Sequence, residues 1–347
     1  MRKILFALMM LFSIITTGNL YAKKSHTDSY IVATDYMKAD GKTELSAQIQ
    51  KLIDDNPNRT IFFPDGTYLI SKSILTPADP TKSVHLVLSN YAVIKATENW
   101  EGDALIRLGG KLPFNTIRVN GSNYGLEGGI LDGSGIANGI SVDSGRESRI
   151  CRVSIKNTQV GVHIRWGANS GSCDSDVMDV NIVGNSDKNS IGLLVEAYDN
   201  TFTNMRICDC NIGVWLKKGG NSLRNIHPLS GADYMNSYGF IIEQSDCWLD
   251  YCYSDHFAHG FKLAKGSRCH FAACWAWWYK ETDMQVAIEC DGPLESYFYG
   301  FRTGFKKECP HSTLLKAEEG GHGCIRDTFV PDIQFTDDDV SASYLAK

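Results

Sequence analysis

A Gly–apolar–any–apolar tetrad recurs along the chain, and it constrains the fold more than any other feature. It reads Gly139-Ile-Ser-Val142, Gly161-Val-His-Ile164, Gly192-Leu-Leu-Val195, Gly213-Val-Trp-Leu216, Gly239-Phe-Ile-Ile242 and Gly260-Phe-Lys-Leu263. A seventh copy, Ala287-Ile-Glu-Cys290, has Ala in place of Gly. Successive starts lie 22, 31, 21, 26, 21 and 27 residues apart. A period in the low twenties, with the excess length in loops, is the mark of a solenoid. Between copies lies a second strand-like stretch, as at Ile150–Ile155, Val177–Val183, Phe202–Cys208 and Trp248–Tyr253.

Apolar residues alternate with period two, and Val, Ile, Phe and Trp are frequent, which favours strands. Gly219-Gly220-Asn221-Ser222 and Ala197-Tyr198-Asp199-Asn200 supply turn residues. No run between Gly139 and Cys290 has the 3.6-residue period of a helix. One coil cannot cover its own inner face, so coils stacked about 4.8 Å apart must share one core. The expected fold is all-β: a single-stranded parallel β-helix, with coils over about 100–305, an N-terminal cap over 40–75 and a closing segment over 306–347. Thr43 is expected to cap a helix from Glu44 to about Asp54, with Leu45, Ile49, Leu52 and Ile53 on one stripe. Strands are expected at Thr60–Phe63 and Thr67–Ser71, and loops at 76–82 and 96–103.

The 347 residues are 43% hydrophobic and 21% charged, enough apolar material for a large core in residues 23–347 as one domain. Residues 1–22 read as a secretory signal peptide: Arg2-Lys3, an apolar run from Ile4 to Ile15, and a small residue at Ala22. That run is too short to span a bilayer, so a secreted or periplasmic protein without membrane insertion is expected. The net charge of −6, without a Lys/Arg-rich run, argues against a nucleic-acid binder. All 11 cysteines lie between Cys151 and Cys324, an odd number that leaves at least one unpaired within the chain. Cys247 with Cys269, and Cys252 with Cys274, are near column mates, suited either to disulfides or to a buried stack. No CxxC or HExxH pattern suggests a metal site.

Asp40-Gly41-Lys42-Thr43, followed by Ile61-Phe62-Phe63-Pro64-Asp65-Gly66-Thr67-Tyr68-Leu69-Ile70, resembles the N-terminal signature of the pectate-lyase superfamily. Gly128-Gly129-Ile130-Leu131-Asp132-Gly133 is similar to its first full coil. With the tetrads, the resemblance spans about 40–305. It implies a right-handed parallel β-helix acting on polysaccharides or oligosaccharides, and calcium is used by some such relatives. It does not specify the reaction, because function lives in the site grafted on the fold.

In a stacked fold, equal offsets from the tetrad glycine form columns. If the first and third residues after Gly face inward, the second and fourth face out. The fourth-position column reads Asp143, Arg165, Glu196, Lys217, Glu243, Ala264, Asp291. Its alternating signs suit a register-fixing ladder. They also suit a carbohydrate site, with Glu196 and Glu243 as the carboxylates of an inverting glycosidase. In the second-position column, His163, Trp215 and Lys262 offer substrate contacts, with Trp215 able to stack on a sugar face.

The residue before Gly is Tyr238 and then His259 on adjacent coils, in an otherwise largely aliphatic column. Ala258-His259-Gly260 resembles the Gly-His-Gly strand of polygalacturonases, but the preceding coils lack that family's Asp residues. A Tyr/His pair suits β-elimination next to a uronic acid, which needs a base, a proton donor and positive groups. His259 is the candidate base and Tyr238 the donor, with Arg165, Lys217 and Lys262 as a positive groove for an acidic polymer; the pair could equally be buried core polar groups. Asp255 and His256 sit on the turn before His259, where they could act directly or tune it. Trp275, Trp277, Trp278 and Tyr279 form a candidate aromatic wall. The functional expectation is cleavage of an acidic polysaccharide, by elimination ahead of hydrolysis, with a non-catalytic glycan-binding β-helix as the third reading.

Overall fold

In the computed structural model, the structure describes residues 30–110, 124–166, 172–230, 235–280, 282–306, 309 and 311–328. The expected signal peptide and most of the C-terminal tail lie outside these residues. The chain winds as a parallel β-helix: every strand pair is parallel, and each strand meets its counterpart one coil away.

The tetrads form one wall, the tetrad sheet. Its register runs Val160, Ile191, Ile212, Tyr238, His259, Val286. Between tetrads the chain builds two walls rather than one. Ile150–Ile155 divides into strands Arg149–Cys151 and Ser154–Thr158, and Trp248–Tyr253 divides in the same way. The first halves form a second sheet and the later halves a third. Single left-handed residues turn the corner between them: Arg152, Asp179, Asn204, Asn225, Tyr251 and Ala273 all have φ between 50° and 58°. At this corner Asn225 Nδ2 donates to Asn204 Oδ1 at 2.9 Å, and Asn204 Nδ2 to Asp179 Oδ1 at 3.1 Å. Asn and Asp tolerate left-handed backbone, and their side chains link one coil to the next.

The inward tetrad positions behave as the pattern requires. Val162, Leu193, Val214, Phe240, Phe261 and Ile288 are fully buried. Each such side chain contributes about 1.5–3 kcal/mol by leaving water. Like residues stack across coils: the Phe240 and Phe261 rings lie 4.7 Å apart and those of Phe271 and Phe298 4.1 Å. The tetrad glycine also points inward. A Cβ on Gly161 would stand 2.5 Å from Ile182 Cγ2 and 2.6 Å from Gly192 O. At Gly260 the neighbour on the third sheet shrinks to Ala276, with its Cβ at 3.1 Å.

Several expected boundaries move. The helix is Ser46–Asp55, and Thr43 does not cap it. Asp40–Glu44 is a strand paired with the strand Gly66–Leu75, and Thr43 donates to Asp40 Oδ2. The Glu44 carboxylate instead accepts from Ser46 N, satisfying a free amide of the first turn. Ile49, Leu52 and Ile53 are buried, and Leu45 with them. Residues 96–103 are not a loop: Ala92–Leu108 is one long strand that pairs from Ala92 to Arg107 with Gly66–Leu75 on one side, and on the other with Ile130–Asp132 and then, past the corner, Asn138–Val142. Among the described residues the parallel stack runs from Tyr30–Val32, before the segment expected to cap it, to Cys324–Arg326. All eleven cysteines are unpaired, and Cys247, Cys252, Cys269 and Cys274 are buried. No helix among the described residues is long and apolar enough to cross a membrane.

Candidate functional site

The outward face of the tetrad sheet carries the predicted polar residues as one strip, because successive coils bring equal offsets side by side. It divides into three clusters.

At the N-terminal end, Arg165 contacts Asp103, and its Nε lies 3.4 Å from Asp143 Oδ1. Arg107 Nε donates to Asp143 Oδ2 at 2.7 Å, and Ser141 Oγ to Oδ1 at 2.6 Å. Asp143 is fully buried. Buried charge of this kind persists only when paired, so the cluster is a structural clasp.

The central cluster surrounds Glu196. Its Oε2 lies 2.8 Å from His163 Nε2 and its Oε1 accepts from Lys217 Nζ at 2.9 Å. One coil on, Trp215 Nε1 donates to Glu243 Oε1 at 2.7 Å, and Lys217 Nζ lies 4.6 Å from the Trp215 ring centre. Burial pushes the Glu196 pKa up, but the hydrogen bonds from Lys217 and His163 outweigh it, so the net shift is downward and the carboxylate stays ionised. Burial, joined by the Arg165 charge, lowers the His163 pKa despite Glu196, which keeps the imidazole neutral. Glu196, Lys217 and Glu243 line one open groove of about 380 Å³ together with Trp166, Lys218 and Gln244.

The third cluster holds Tyr238 and His259, whose rings stack 4.7 Å apart. His259 Nδ1 lies 2.5 Å from Glu289 Oε2, a close contact without hydrogen-bond alignment, and Lys316 Nζ donates to Oε1 at 3.1 Å. The His259 contact, against the opposing effect of burial and with help from Lys316, holds the Glu289 pKa down at about 2. Lys262 pairs with Asp291 at 3.3 Å. His259 is only 6% exposed, and neither it nor Tyr238 lines the groove at Glu196.

Several expectations are corrected. Arg165, Lys217 and Lys262 do not make a positive groove, since each faces a carboxylate: Asp143, Glu196 and Asp291 respectively. Alternating signs down the column neutralise each cation by its neighbour. Asp255 and His256 lie on the turn before His259, as expected, and each engages a partner elsewhere. Asp255 ends a strand of the third sheet and faces His227 at 3.4 Å, while His256 stacks on Tyr279 at 3.9 Å. Trp275 also lies on the third sheet, 5.8 Å from Tyr253, away from the Glu196 groove. Trp278 is core, stacked on Phe305 with its Nε1 donating to Phe257 O. Among the described residues, no three His, Cys, Asp or Glu side chains converge as a metal site.

Sequence reasoning missed Trp166, Lys218 and Gln244, and also Tyr198 and Trp248 of the adjoining groove. A signal was present. Reading the columns one residue further, to the fifth position, gives Trp166, Lys218, Gln244 and Lys265, all of which line a groove.

Comparison with known proteins agrees with this architecture. Among solved structures, the chain is similar to ORF18 of Geobacillus virus E2 (TM-score 0.64, 15% identity, 87% of this chain and 62% of that one). It is similar to an alginate lyase from Paenibacillus sp. str. FPU-7 (TM-score 0.60, 14% identity, 80% and 96% covered). A tailspike protein of E. coli bacteriophage HK620, solved in complex with a pentasaccharide, is also similar (TM-score 0.63, 9% identity, 88% and 67% covered). At these identities the likeness is one of fold, and the chain spans less than two thirds of the viral ORF18 protein. No curated protein matches. The sequence pattern described as rhamnogalacturonase A/epimerase, pectate lyase-like, matches residues 31–233, more than half of the chain, with tetrads from Gly139 to Gly213 inside the match. The parallel coils, the tetrad wall and this match together assign the chain to the rhamnogalacturonase A/epimerase, pectate lyase-like family.

Proposed function

We propose that the chain is a glycan-cleaving enzyme that hydrolyses a glycosidic bond in the groove at Glu196 and Glu243. The observation that carries this is that both carboxylates line the same groove from coils two apart, each with one oxygen bonded to the coil between. Two coils separate their backbones by about 9.6 Å. Oxygens leaning toward the middle coil fall toward the range of about 6.5–9.5 Å used by inverting glycosidases, which leaves room for a water.

The environments divide the roles. Glu196, kept ionised by Lys217 and His163, takes a proton from water as the hydroxyl attacks the anomeric carbon. Glu243, held by the neutral Trp215 indole, donates a proton to the departing oxygen as the carbon–oxygen bond breaks. Lys217 keeps Glu196 oriented. The residues before the tetrads, from Arg2-Lys3 to Ala22, support export, so the same reading puts the enzyme in a secreted or periplasmic setting.

A second reading, elimination on a uronic-acid polymer, is favoured by the His259–Glu289 contact, since a carboxylate on one ring nitrogen orients the other as a base. Digestion of a polysaccharide panel separates them. Hydrolysis produces new reducing ends without ultraviolet absorbance from a double bond, and Glu196→Gln and Glu243→Gln abolish it. Unsaturated products that persist in both variants and vanish in His259→Ala would establish elimination instead.

A further inference from the structure

The groove at Glu196 does not end there. A second groove, of about 640 Å³, shares Glu243 and Gln244 with the first and continues along the corner after the tetrad strands as far as Ser267. Together the two follow the helix axis from the coil of Trp166 to that of Lys265. A linear ligand lying parallel to the axis would cross one coil about every 4.8 Å.

Two features of the combined lining decide what fits. The first is aromatic. Trp166 and Tyr198 meet edge to face at 5.4 Å, with Trp166 38% exposed, and Trp248 is 49% exposed on the other side of Glu243. These rings present faces or edges at both flanks of the carboxylate pair, and broad aromatic surface with a polar rim suits the apolar faces of pyranose rings. The second is charge. The lining carries four acidic side chains (Glu196, Asp199, Glu243, Asp246) against three ammonium groups (Lys217, Lys218, Lys265), so the positive charges are fully balanced even with Glu243 protonated as the acid. Lys217 is committed to Glu196, and Lys218 lies 5.5 Å over the Tyr198 ring. A polyanion entering such a groove would meet no focused positive potential.

We propose that this continuous groove takes an uncharged glycan, stacked on Trp166, Tyr198 and Trp248, and not a uronic-acid polymer. The proposal rests on reading the groove as the glycan site, and it names the substrate class. Gln244, with an amide that both donates and accepts, lies where the two grooves join and suits hydroxyl groups.

Binding measured by calorimetry on the intact chain tests this without requiring turnover. The probes are neutral oligosaccharides of glucose, galactose, mannose and N-acetylglucosamine, set against oligomers of galacturonate and mannuronate, each at low and high salt. The expected result is binding of at least one neutral series, unchanged by salt. Trp248→Ala and Trp166→Ala each weaken it by at least about fivefold. Tyr299→Ala, on the second sheet and outside the groove, leaves it unchanged. Preference for the uronates with loss at high salt overturns the proposal, as does absence of binding to every neutral series. Neutral binding without cleavage leaves the substrate class standing and removes the hydrolytic reading, so the two fail separately.

Discussion

Trp215 Nε1 donates to Glu243 Oε1 at 2.7 Å, across one coil boundary and 28 residues of sequence. The indole therefore fixes the rotamer of a carboxylate that neither helical nor hairpin proximity could hold. Replacing it by Phe keeps a ring and removes the donor. A hydrogen bond of this kind contributes about 0.5–1.5 kcal/mol, so turnover by Trp215→Phe should fall about two- to tenfold. The fold should persist, seen as an unchanged far-ultraviolet circular dichroism spectrum. Full turnover in this variant removes Trp215 from the positioning role.

Glu196→Gln and Glu243→Gln should each reduce hydrolysis by about 10²–10⁴, the usual weight of a positioned acid or base. Because Glu196 also neutralises Lys217, its Gln variant should in addition lower stability, whereas Glu243→Gln should not. Urea midpoints of both variants, measured beside their rates, check the difference.

Acid should weaken the fold in two windows. The His163 pKa is lowered from an ordinary 6.5, so the folded state refuses a proton that the unfolded chain accepts, and stability declines as pH falls below about 6.5. The Glu289 pKa is lowered from 4.5 to about 2, so its contribution is complete above pH 4.5 and disappears as pH falls toward 2. Urea midpoints from pH 8 to pH 2 should show both declines. Glu289→Gln should shrink the lower decline, which Glu196, Asp132 and Glu44 share through their own lowered pKa values, and leave the upper one in place, and an unchanged profile would show that the His259–Glu289 contact carries no linkage.

Gly161→Ala should cost about 1–3 kcal/mol, the penalty for overpacking a filled interior, because its Cβ would press on Ile182 Cγ2 at 2.5 Å and Gly192 O at 2.6 Å. Gly260→Ala should cost less on its side-chain contact, since Ala276 Cβ stands at 3.1 Å there. Thermal melts of the two variants give the order directly, and a larger loss at Gly260 would contradict this account of the tetrad glycine.

What could be read from the letters alone was whatever repeats. The tetrads fixed strand, inward face and stacking partner, because a side chain every second residue and a coil every few tens of residues leave a periodic trace in the sequence. They also put Glu196, Lys217 and Glu243 in one column, and Tyr238 beside His259. The third wall was hidden because its corner is a single left-handed residue, such as Arg152 or Tyr251, which no composition rule distinguishes from strand. Thr43 misled for a related reason: a capping residue and a strand end look alike until the pairing with Gly66–Leu75 is known. Pairing of charges was decided only in three dimensions. Arg165, Lys217 and Lys262 are free cations in a linear chain, and each becomes half of an ion pair once neighbouring coils are about 4.8 Å apart. Openness was decided there too. Exposure depends on which loops and corners flank a column, so Glu196 came to line a groove while His259, on the same wall, was packed against Tyr238 and Glu289.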